Sequence, residues 1–248
     1  MNGLVSWPIA RMTARERGGA PIAIALAGIC LFAAFIGGRL SGASEATTGL
    51  TWASLVAFSF ALAGGLVADE VESGHAQLLL LRPITRAAWF GGRLCGALLL
   101  LAPVVLGVGV AEALGAELAH NQVEASLFLA LPFAFVELAC WVATLAAVSV
   151  LVRGWMNIAL VLFAILFWAA GGWLVPFAFG ANRVAVAAII ARISPYLHPH
   201  HTTDIGRALA SHQTPDWEPL LWNLLWIAVS WAVGTLLLNR LELARRRT

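Results

Sequence analysis

The chain has 248 residues, 60% of them hydrophobic and 11% charged, with a mean hydropathy of +0.85. Soluble globular chains are about half apolar and about a quarter charged, so this composition excludes a water-soluble fold and makes lipid the solvent for much of the surface. The net charge is +2, every basic residue is arginine, and no nucleic-acid partner is expected.

Residues 1–19 place Val5, Ile9 and Met12 on one helical face, with Trp7 nearby and Arg11 and Arg15 on another. Arginine toward lipid phosphates above apolar groups is the pattern of an interfacial helix, with a plain basic tail as the simpler alternative. A helix needs about 20 apolar residues to cross the hydrocarbon. Six segments qualify: 21–37, 50–68, 87–114, 125–152, 155–179 and 220–238. The third and fourth carry Pro103 and Pro132, where kinks are expected. Gly92 and Gly96 form a small-xxx-small pair suited to close helix contact. Cys30, Cys95 and Cys140 lie in apolar runs at spacings that match no zinc or CxxC pattern, and read as small packing residues.

Arginine placement orients the spans. With the N-terminus in the cytoplasm, the inside segments hold Arg11, Arg15, Arg17, Arg82, Arg86, Arg93, Arg153, Arg240, Arg245, Arg246 and Arg247, and the outside ones hold Arg39, Arg183, Arg192 and Arg207. Both termini are therefore expected in the cytoplasm. The connection after the third span carries Glu112, Glu117 and Glu124. Glu137 is the one ionisable residue read as deep within a span. Such groups face a cavity or a partner, so it either lines a substrate path or pairs with a neighbouring helix.

The external segment, 180–218, contains a stretch at 184–193 too short to span, read as re-entrant or interfacial and broken at Ser194-Pro195. A second short helix is expected from Ile205 to Ala210, N-capped by Thr202 or Thr203. His198, His200 and His201, with Asp204 and His212 near, have the donor types of a zinc or copper site. Pro199 between the first two leaves their geometry open, and an interfacial loop without metal is the preferred reading.

Residues 69–86 join the second and third spans. Asp69, Glu70 and Glu72 end the second span, Ser73-Gly74 turns, four leucines form a short helix, Pro83 stops it, and Thr85 caps the next span. Leucines in a connecting loop are exposed unless something covers them, and an apolar patch rimmed by charge marks a protein contact. A helix packed under its own bundle is an equal alternative on physical grounds.

This stretch, Glu-Val-Glu-Ser-Gly-His-Ala-Gln-Leu-Leu-Leu-Leu-Arg-Pro-Ile-Thr-Arg followed by Gly92-Arg93-Leu94, resembles the hallmark of type-2 ABC permeases. Arg93 stands where that family usually has lysine, His75 where threonine is commoner, and Gln77 where glutamate is. The layout of basic N-terminus, six spans, interfacial helices and arginine-rich end extends the resemblance over nearly the whole chain. It implies an all-α membrane protein forming one permease domain over 1–248. It also implies a coupling helix of Gln77, Leu78, Leu79, Leu80, Leu81 and Arg82 that docks on a separate ABC ATPase, with Glu70 and Glu72 facing a basic rim. The chain has no GxxxxGK[ST] loop, so ATP and Mg belong to that partner and this subunit is non-catalytic. A second permease and the lipids of a bacterial inner membrane complete the expected partners, and Glu137 is the substrate-path candidate for an exported amphipathic compound. The competing readings are a membrane scaffold and an intramembrane enzyme using Glu137.

Overall fold

A computed structural model describes residues 4–41, 49–72, 84–152, 156–160, 162 and 199–245. These residues build α1 (Trp7–Gly18), α2 (Pro21–Ser41), α3 (Gly49–Ala63), α4 (Ala68–Glu72), α5 (Arg86–Leu118), α6 (Ala125–Val148), α7 (Thr203–Ala210) and α8 (Glu218–Arg245). Five helical stretches are long and apolar enough to cross a membrane: Pro21–Leu40, Gly49–Glu70, Arg86–Leu118, Ala125–Val148 and Glu218–Arg240. They match the first four expected spans and the last. Of the fifth, 155–179, only 156–160 and 162 are described, and these are helical. The 184–193 stretch lies outside the described residues.

Two hydrogen bonds define one end of the bundle. Arg86 Nη1 donates to Asn239 Oδ1 at 3.1 Å, which sets the end of α8 beside the start of α5. Val67 N donates to Ser149 Oγ at 3.2 Å, which joins the ends of α3 and α6. Helices α2 and α5 therefore leave this end, and α3, α6 and α8 return to it. Helix α5 sits at the centre, packed by α1, α2, α3, α6 and α8, while α6 carries α7 and α8 on its other side. Both α5 and α6 run unbroken through Pro103 and Pro132. Thr85 caps α5 as expected, its Oγ1 accepting from Ala88 N at 3.2 Å.

The N-terminal helix lies on α5, not free on a surface. Ser6 N donates to Ala88 O at 2.9 Å. The buried residues of α1 are Ile9, Ala10 and Thr13, while Val5 and Trp7 are exposed, so Ile9 of the expected apolar face packs on the bundle and Val5 does not. The reason lies in α5. A Cβ on Gly96 would stand 2.6 Å from Ala10 O and from Thr13 Cβ, and one on Gly92 2.7 Å from Ser6 O. The two glycines make the trough that receives α1. Lipid offers little hydrophobic drive between helices, so such close backbone approach is what holds them together.

Helix α5 is longer than expected. Its last turns, Ala-Glu-Ala-Leu-Gly-Ala-Glu-Leu, are mostly strong helix formers and continue the span. Glu112, within the expected span 87–114 although counted with the connection that follows, lies in α5 and is fully buried, a second acid inside the bundle besides Glu137. The helix ends where His120 takes φ 57°, and Asn121 returns its N to Ala116 O at 2.9 Å.

Candidate functional site

Two polar clusters stand out, one around Arg93 at the start of α5 and one around Glu137 in the middle of α6. The first surrounds Arg93, in the second turn of α5, which is 1% exposed. Its Nη1 donates to Thr13 Oγ1 at 3.0 Å and to Glu16 Oε2 at 2.8 Å, and its Nη2 pairs with Glu70 Oε1. Beside it, Arg17 donates from Nη1 to Gly64 O at 2.8 Å and from Nη2 to Asp69 Oδ2 at 3.0 Å. Helix α1 is thereby bolted to the end of the second span and the start of the third. A buried guanidinium is costly unless its charge is paired, and here the carboxylates of Glu16 and Glu70 pair it.

This cluster flanks the segment expected to carry coupling. Glu70 faces Arg93, with a side chain 13% exposed, so its charge is engaged inside the chain. Glu72 closes α4. Gln77, Leu78, Leu79, Leu80, Leu81 and Arg82 lie outside the described residues. Glu16 was not singled out from sequence, although a lone acid at the end of a basic helix is a signal that it has a partner.

The second cluster is built on the middle of α6. Glu137 lies twelve residues into that helix, about 18 Å along its axis at 1.5 Å per residue. Its side chain is 3% exposed. His201 Nδ1 lies 3.0 Å from Glu137 Oε1, and Thr202 N donates to Glu137 Oε2 at 3.3 Å. Thr202, one of the two expected candidates, takes the N-cap position of α7, yet its hydroxyl does not cap the helix. It donates to Phe133 O at 2.7 Å on α6. Gly206 then allows α7 to lie directly on α6, since a Cβ there would stand 2.5 Å from Ala130 Cα.

Helix α8 holds the other side of this segment. His200 N donates to Asn223 Oδ1 and Asn223 Nδ2 donates to His200 O, each at 2.9 Å. Cys140 Sγ donates to Asn223 O at 3.3 Å, and Trp226 Nε1 to Thr144 Oγ1 at 2.8 Å. An asparagine within Leu-Leu-Trp-Asn-Leu-Leu-Trp is a legible sign of an interhelical bond, though the sequence reading passed over it.

The two described histidines of the loop diverge. The His200 ring lies against Trp222, with centroids 5.9 Å apart, and His201 turns to Glu137 and Trp52, the latter at 6.3 Å. His198 lies outside the described residues. No metal-type cluster of three or more donors occurs among the described residues. The hydrogen bond to Glu137 raises the His201 pKa above its ordinary value, burial opposes it, and the Glu137 and Asp204 charges add to the rise. Glu137 thus has a partner that its sequence neighbourhood did not reveal.

Comparison with curated proteins finds no match. A family profile described as ABC-2 family transporter protein matches residues 19–243, nearly the whole chain and every candidate span described above. With its apolar helices, this makes the chain a multi-pass membrane protein of permease type, and it belongs to the ABC-2 transporter family.

Proposed function

We propose that this chain is one permease half of an ATP-driven transporter, coupled to a separate ABC ATPase through the coupling segment 69–86, with its helix at Gln77–Arg82, and paired with a second permease. ATP and Mg are bound by the ATPase, and the cargo is an exported amphipathic compound. The observation that carries the reading is the Arg93–Glu70 pair. These residues stand on either side of the 73–83 segment, and Glu16 ties the same guanidinium to α1. A displacement of the segment would therefore move the second span, the third span and α1 together, which is what a coupling element requires. Docking on the ATPase would cover one face of the leucines at 78–81, worth about 1.5–3 kcal/mol for each side chain fully covered.

The same reading puts the α1 end of the bundle in the cytoplasm of a bacterial inner membrane, in keeping with the arginine distribution. A sixth span at 155–179 is in keeping with the described ends. Helix α6 finishes at the α1 end, beside Val67, while Thr202 stands against Phe133, near the middle of α6.

The test is purification of the tagged chain from its own membranes. An ABC ATPase should co-elute and turn over ATP. Changing Leu79 and Leu80 together to aspartate should leave insertion intact and lose the ATPase. A double variant that keeps a full complement of ATPase and normal turnover overturns coupling through this segment.

A further inference from the structure

Beside Glu137 lies a cavity of about 190 Å³, lined by Gly49, Trp52, Glu137, His201 and Thr203. We propose that it binds the alkylammonium head group of a cationic amphiphile, with Glu137 as counter-charge and Trp52 as aromatic wall. The inference rests on the permease reading only for its meaning as part of a cargo path.

The argument starts from charge. A carboxylate buried in a membrane bundle is costly unless a cation or donors attend it. Thr202 N supplies one donor, and His201 supplies the side-chain cation that meets Glu137 among the described residues. His201 is the movable partner, because its side chain is 75% exposed whereas that of Glu137 is 3% exposed. The imidazole also lies beside the Trp52 ring, tilted, with centroids 6.3 Å apart, so an indole borders the space that a cation at Glu137 would enter. An ammonium head can therefore replace the imidazolium at both contacts. The cavity exceeds the share of liquid volume of one water, about 30 Å³, several times over, which leaves room for such a head.

The surrounding charges favour a cation over an anion. Helix α6 contributes Glu137 and, a turn on, the Cys140 thiol, which is turned to Asn223 O. Helix α7 contributes Asp204 and Arg207, which pair with each other at 3.0 Å. The preceding loop contributes His200, turned onto Trp222. Helix α3 contributes Trp52. With His201 neutral, the imidazole no longer supplies a counter-charge beside Glu137. A proton on His201 and a cation in the cavity thus compete for one carboxylate, and affinity rises as pH rises through the His201 transition.

The experiment is calorimetric titration of the full chain, in uncharged maltoside micelles, with choline and with its neutral isostere carrying tert-butyl in place of trimethylammonium. Choline should bind above the His201 transition, bind at least about tenfold more weakly below it, and release a proton there. The isostere should not bind. Glu137→Gln should abolish binding, His201→Gln should make it insensitive to pH, and Trp52→Leu should weaken it about tenfold, within the range of a desolvated cation–aromatic contact. Equal binding of the isostere, or unchanged affinity in Glu137→Gln, overturns the site. Should Glu137→Gln not fold, unchanged choline binding in both His201→Gln and Trp52→Leu overturns it equally. A failed titration by protein that still retains a working ATPase removes this site and leaves the permease reading standing. Choline binding by protein that never recruits an ATPase does the reverse.

Discussion

Arg93 Nη1 donates to Glu16 Oε2 at 2.8 Å, so the helix that precedes the first span is locked to the start of the third. The same guanidinium meets Glu70 at the end of the second. Three elements distant in sequence share one buried charge.

Removing that charge should be costly. Arg93→Met leaves Glu70 and the Thr13 hydroxyl facing an apolar side chain, and breaking a buried pair from one side costs about 3–5 kcal/mol. Size-exclusion profiles after a heating series should show earlier loss of the monodisperse peak. Arg93→Lys keeps the charge and should recover much of the difference. A Met variant as heat-resistant as the parent would show that the cluster contributes nothing to stability.

Asn223→Ala should free the segment before α7. It deprives the His200 N–H and C=O of their partners, and an unsatisfied buried group costs about 1–3 kcal/mol. Hydrogen exchange at the His200 and Thr202 amides should accelerate, while exchange within α5 stays as it was. Equal acceleration everywhere would indicate global destabilisation instead.

The His201–Glu137 contact should depend on pH. Because the folded pKa of His201 is raised, its contribution to stability is fully present below the unfolded value, about 6.5. It is lost as pH rises through the raised folded value. Histidine-selective NMR titration should find His201 protonating above the ordinary value, and Glu137→Gln should bring it back down. An unchanged titration in Glu137→Gln would remove Glu137 as the cause.

Reporter fusions test the topology. A fusion at Thr248 and one near Gln122 should report opposite sides of the membrane, since Arg86 and Asn239 share one end of the bundle and Asn121 follows the far end of α5. The same side for both would end the assignment.

The five described spans, the Thr85 cap, an N-cap at Thr202 or Thr203 and the contact glycines Gly92 and Gly96 were determined by the sequence itself. Each rests on local physics: an apolar run long enough for the hydrocarbon, a hydroxyl just ahead of a helix, small residues one turn apart. Helix α5 runs past the expected end at Leu114 to Leu118, and the burial of its Glu112 depends on packing that the sequence does not display. Partnerships were decided only in three dimensions. Arg93 finds Thr13 from 80 residues away, and Thr202 finds Glu137 from 65. A buried charge announces in sequence that it needs a partner, because lipid solvates it poorly. Which residue answers depends on how helices rotate and at what depth they cross, and no local pattern encodes that.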